Sequence, residues 1–115
     1  MSIRKPIRKV TVNVEEDIKR NFILEYFTLE KEVCVEGSAH NTYGIEVLKR
    51  ERTQLGTVRV EYRKVFDVFC TEEEAKNACH ILADNTVTPV SVRDIVEQLI
   101  GTEEIENEEY EVMAV

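Results

Sequence analysis

The side chains able to do chemistry are few and scattered along the chain. There are three cysteines, Cys34, Cys70 and Cys79, and two histidines, His40 and His80. The cysteine number is odd and no Cys-x-x-Cys pair occurs, so neither a disulfide framework nor a zinc quartet is indicated. Cys79 and His80 are adjacent, and adjacent helical residues point about 100° apart, so they make no chelating pair. A reactive thiolate needs an electropositive setting, and none is visible near any cysteine. All three are expected as small hydrophobes beside apolar neighbours. His80 is expected on the exposed side of a helix.

Carboxylates are abundant, with 23 acidic residues, so pairs of them carry little information. Asp67 is the most interesting, because apolar residues flank it on both sides. If buried it would have a raised pKa and become a functional candidate; on a solvated strand face it would not. The four glycines are isolated, which excludes a phosphate-cradling loop. Gly44 lies within a strand pattern, where glycine marks a bulge or a close backbone approach. No catalytic, metal or cofactor site is expected.

One basic cluster stands out. Arg50, Arg52, Arg59 and Arg63 fall on a hairpin, and with Tyr110 they form the candidate interaction surface. Aromatic and basic residues on a sheet can stack on bases and hold phosphates. Glu46, Glu51 and Glu61 are interleaved, however, and cross-strand ion pairs explain the pattern equally well. The net charge of −8 repels phosphate backbones, so nucleic acid is a poor expectation. A protein partner, a second copy of the chain included, suits these features better. An alternative is a small-ligand pocket between sheet and helices, lined by Tyr43, Tyr62, Phe66 and Asp67.

The elements that would position these residues are legible in part. Thr71 caps a helix with Glu74 three residues later, and Glu72, Glu73 and Glu74 face the positive end of its dipole. Ala75, Ala78, Cys79 and Leu82 form its apolar stripe, widened by Ile81. Asp84-Asn85 ends it, with Asn85 suited to a left-handed conformation. Thr88-Pro89 starts a second helix, with Ser91 and Asp94 a competing start. Val92, Ile95, Val96 and Leu99 repeat the stripe, and Gly101 stops it. Helices this short need an apolar sheet to lie on.

Upstream, Val10, Val12 and Val14 alternate as a strand. Glu15-Glu16-Asp17 reads as a turn. Phe22 to Val35 is expected as a central strand, apolar on both faces, with Phe22, Leu24 and Tyr26 on one and Ile23, Phe27 and Leu29 on the other. A helix is the alternative, since Phe22, Tyr26 and Leu29 also fit that spacing, but the recurring Tyr, Phe, Thr and Val favour the strand. Residues 36–41 read as a loop. Tyr43, Ile45 and Val47 share the next face. Val58, Val60 and Tyr62 are expected toward the core, with Arg59, Glu61 and Arg63 outward. The alternation slips at Lys64, which predicts a bulge or bend.

The expected fold is α+β: an antiparallel meander of three to four strands followed by two short helices on one face. Residues 1–9 form a flexible basic arm, 10–101 a single domain, and 102–115 an acidic tail, expected to be disordered unless it docks on a sheet edge. No membrane span or signal peptide is apparent, and a reducing cytoplasm is the simplest location.

The segments NFILEYFTLEKE, YGIEVLKRE and DNTVTPVSVRDIVEQLIG resemble a small family of uncharacterised bacterial domains. The resemblance covers roughly residues 21–101. It implies a bacterial cytoplasmic domain without catalytic residues and brings no assigned activity. The basic arm and acidic tail lie outside it.

Overall fold

The computed structural model describes residues 2–14, 20–53, 55–102 and 105–114. The turn expected at Glu15-Glu16-Asp17 lies outside the described residues. Five strands form one antiparallel sheet in chain order: β1 (Ser2–Val14), β2 (Arg20–Val35), β3 (Ser38–Arg52), β4 (Val58–Phe69) and β5 (Glu108–Ala114). Between β4 and β5 come α1 (Glu72–Asp84), a single 3-10 turn (Pro89–Ser91) and α2 (Val92–Ile100). The class is α+β as expected, with one strand more than the expected maximum.

The helices cover one face of the sheet. Leu24, Tyr26, Ile45, Val47, Val65 and Phe69 meet Ala75, Cys79, Leu82, Val92 and Val96 there, with Ile105 closing one side. The Tyr26 hydroxyl donates to the Val87 carbonyl at 2.9 Å, so the largest buried side chain is also hydrogen-bonded. Among the described residues no helix lies on the other face of the sheet. The molecule measures 57 × 26 × 23 Å.

Helix α1 starts as its sequence dictates. The Glu74 amide donates to the Thr71 hydroxyl at 3.2 Å. At the other end the left-handed residue is Thr86 rather than Asn85. Asn85 instead uses its side-chain amide to donate to the Ile81 carbonyl at 2.7 Å, which satisfies a free end of the helix. The two candidate starts of the second helix are both used: the chain turns once at Pro89, then enters α2 at Val92. Val92 and Val96 are buried, but Leu99 and Ile81 are about two-fifths exposed, so both stripes are narrower than expected.

Several expectations are corrected. Residues 2–9 are not an arm; they pair with β2, which is long enough to take them, across a bulge between Pro6 and Arg8. Arg4, Lys5 and Arg8 reach Glu46, Glu72 and Asp84. The tail is not disordered over residues 105–114. Ile105 enters the core and β5 takes the edge beside β4. The expected loop over 36–41 shrinks to a two-residue turn. Glu36 (φ 53°) and Gly37 (φ 81°) both adopt the left-handed conformation that matches hairpin twist.

The faces of β4 are the reverse of those expected. Val65 is fully buried under the helices and pairs with Ile45, so strict alternation carries Arg63, Glu61 and Arg59 to the helix side. Val58, Val60 and Tyr62 fall on the open face. The irregularity comes two residues later than Lys64. Residues 66–68 bulge opposite Gly44, with Asp67 at φ 58°.

Candidate interaction surface on the open face of the sheet

The open face is built from alternate residues of all five strands. Leu48, Val58, Val60 and Met113 form an apolar floor, and Arg4, Glu46, Arg50, Tyr62 and Lys64 stand around it. Together they line an open groove of about 610 Å³. Glu46 is buried, and Arg4 holds it with two bonds, Nε to Oε1 at 2.7 Å and Nη2 to Oε2 at 3.2 Å. The same guanidinium lies 3.6 Å from the centroid of the Phe27 ring. A fork-shaped donor on a carboxylate, stacked on an aromatic face, is a geometry that arginine satisfies and lysine does not.

Tyr62 donates its hydroxyl to Glu111 at 2.7 Å, which ties β4 to β5 across this face. That bond, reinforced by partial desolvation, pushes the phenol up to about 12. Lys64 lies 5.3 Å from the Tyr62 ring centroid, and Arg50 lies 3.7 Å from Glu25. The surface is therefore amphipathic, with an apolar strip between groups of both signs.

The candidates from the sequence are divided by the fold. Arg50 and Arg52 lie on the open face, whereas Arg59, Arg63 and Tyr110 lie on the helix face. Arg63 is committed to structure. Its Nε donates to the Pro89 carbonyl at 2.7 Å, its Nη1 reaches Glu108 at 3.2 Å, and its guanidinium stacks 4.2 Å from the Tyr110 ring. The Tyr110 hydroxyl donates to Glu61, and this bond leads in raising its pKa.

The proposed pocket residues also separate. Tyr43 faces the helix side and Tyr62 the open side, and the space between sheet and helices is filled by the core. Asp67 does not have a raised pKa. The Thr42 hydroxyl, 2.5 Å away, is the main cause that lowers it; partial burial opposes this, and Asn107 at 2.8 Å and Lys31 at 3.8 Å add to it. Asp67 is an acceptor that pins the bulge to β3 and to the start of β5.

Cys79 is buried and donates to the Phe27 carbonyl at 3.4 Å. Burial pushes its thiol up to about 12. Cys34 and Cys70 are exposed, contrary to the expectation for all three. A thiol reagent at neutral pH is expected to label Cys34 and Cys70 rapidly and Cys79 only after unfolding. Fast native labelling of Cys79, read by peptide mass spectrometry, would contradict its burial. His80 is exposed, with Nδ1 3.4 Å from Arg8 Nη1. Among the described residues no group of three or more His, Cys, Asp or Glu is placed to hold a metal ion.

The sequence does not show that Arg4, Leu48, Val60 and Met113 share one surface. The one available signal was Glu46, a carboxylate set between Ile45 and Val47 in an apolar strand. Its partner lies 42 residues away, so no local pattern identifies it.

Comparison with known proteins bears on the family alone. Residues 6–102 match the model of a family of unknown function, DUF6514, and the chain belongs to that family. Strand β5 lies beyond the matched segment. No curated protein and no solved structure matches the chain. Among the described residues no helix is long and apolar enough to cross a membrane.

Proposed function

We propose that this chain is a non-catalytic protein-interaction or regulatory module whose binding surface is the open face of the sheet. The observation that carries the reading is the groove itself. Its apolar floor lies on a face that no helix of the described residues covers, and its rim offers Arg50, Tyr62 and Lys64. Aromatic and arginine side chains around an apolar centre are what protein interfaces favour. The exposed thiols of Cys34 and Cys70 suit a reducing bacterial cytoplasm. Nucleic acid fits less well, because acidic groups are mixed among the basic ones on both faces.

The test is affinity capture from a lysate of the source cell with the full chain, Val60→Arg and Val112→Arg, reading both protein and nucleic acid. Val60 is on the open face and Val112 on the helix face. A specific protein held by the wild type and Val112→Arg, and reduced about tenfold or more by Val60→Arg, is the expected result. Capture indifferent to Val60→Arg, or of nucleic acid only, would overturn the reading.

A second reading is a small-ligand site in the same groove, favoured by its volume, which lies in the range of ligand pockets. The apolar floor and cationic rim suit an amphipathic carboxylate. A saturable rise in melting temperature with a medium-chain fatty acid, absent in Val60→Arg, would support it. No rise at any concentration would remove it.

A further inference from the structure

We infer that the open face is closed by a second copy of this chain, giving a two-fold dimer in which two sheets stack across the groove. The inference rests on the reading of that face as a protein-binding surface and names the partner.

The first argument is surface area. A compact monomer of 13.3 kDa exposes about 6,500 Å² by the size scaling of folded proteins. This chain exposes 7463 Å². The excess, on the order of 1,000 Å², is close to the roughly 800 Å² that each partner contributes to a standard interface.

The second argument is the strip left accessible on the open face. The helices cover one face of the sheet, and among the described residues no helix covers the other; its centre (Phe27, Leu29, Glu46 and Leu48) is buried within the chain, and the accessible strip lies over β4 and β5. Antiparallel sheets with an apolar strip on each face bury both, and stacking against a second sheet about 10 Å away is the usual solution. Val58, Val60, Tyr62 and Met113 run side by side across β4 and β5, and Met113 is 39% exposed.

The third argument is sign. A two-fold interface must complement itself, so a patch of one charge repels its copy. This strip has Lys64 and Glu109 beside it, in addition to the Arg50–Glu25 pair within the chain. Each copy supplies both halves of the pairing. The termini are poor alternatives. Arg4, Lys5, Arg8, Glu108 and Glu111 are already engaged within one chain, and β1 and β5 are opposite edges of the sheet.

The test is sedimentation equilibrium of the full chain over about 1–100 µM, a range that brackets dimers of ordinary affinity. The wild type and Val112→Arg are expected to dimerise. Val60→Arg and Met113→Arg are expected to weaken the dimer about a hundredfold, with native circular dichroism retained. Met113 is on the edge strand, so its variant stays informative if Val60→Arg misfolds. A wild type that is monomeric throughout overturns the inference, as does a dimer untouched by Met113→Arg or lost in Val112→Arg. A monomer whose lysate capture is still sensitive to Val60→Arg overturns the dimer alone. Mass and capture both indifferent to Val60→Arg overturn the dimer and the reading beneath it.

Discussion

Gly44→Ala is expected to abolish stable folding or to cost about 3 kcal/mol or more, beyond what surface glycine replacements cost. Gly44 is buried in β3, where β4 bulges toward it. A Cβ there would overlap the Val65 carbonyl oxygen and sit 3.0 Å from the Phe66 Cα. Both obstacles are backbone, so no rotamer change relieves them. Val65 is in the centre of the core and cannot retreat without opening it. The backbone angle of Gly44 is not left-handed, so the constraint is space alone. Urea unfolding of the purified variant checks this. Gly56→Ala is a useful contrast. It has open space but φ 84°, so it should cost only about 1 kcal/mol of turn strain. A Gly44→Ala protein as stable as the wild type would mean that the bulge is not packed as described.

Tyr26→Ala is expected to cost about 3–5 kcal/mol, a large share of the 5–15 kcal/mol that holds an ordinary domain together. The ring is fully buried between β2 and the helices, and its removal leaves a cavity that rigid strands cannot fill. Tyr26→Phe separates the hydroxyl from the ring. It leaves the Val87 carbonyl without this donor and should cost about 1–2 kcal/mol. The pH dependence gives a second check. Burial pushes the Tyr26 phenol up to about 12, from an ordinary value of 10.0. The neutral form is favoured in the folded state, so its contribution is complete below pH 10 and is lost as pH rises toward 12. Cys79 acts in the same direction from about pH 9. Stability should therefore fall across the alkaline range, and less steeply in Tyr26→Phe. An equal fall in the wild type and Tyr26→Phe, measured by urea midpoints, would show that this phenol ionises as freely folded as unfolded.

These two residues mark different degrees of legibility. Gly44 could be identified as a close-approach glycine from its place inside a strand, although not what approaches it. Tyr26 could be placed on the face with Phe22 and Leu24, because period-two alternation is a property of the strand alone. Its hydroxyl partner follows α1, 61 residues away, and no local rule points there. The same division separates the two groups of surface candidates. Arg50 and Arg52 were recognisable as hairpin residues; that Arg63 would reach from β4 to the Pro89 carbonyl was not.

What the sequence by itself determined was local. The capping box at Thr71, the stripe from Ala75 to Leu82, the stop at Gly101 and the alternation of β2 and β3 follow from side-chain type and spacing. They suffice for the α+β class. Tertiary structure alone decided which face of β4 meets the helices, that residues 2–9 lengthen the sheet, and that residues 105–114 close its edge. The reason is parity and partners. One buried anchor, Val65, sets the direction of every side chain back to Val58, and moving the bulge by one residue would reverse them all. A polar segment such as residues 2–9 or 108–114 becomes a strand when a neighbour supplies hydrogen bonds along its length, and that neighbour lies far away in sequence. The open groove depends on both effects, so it exists only in the folded chain.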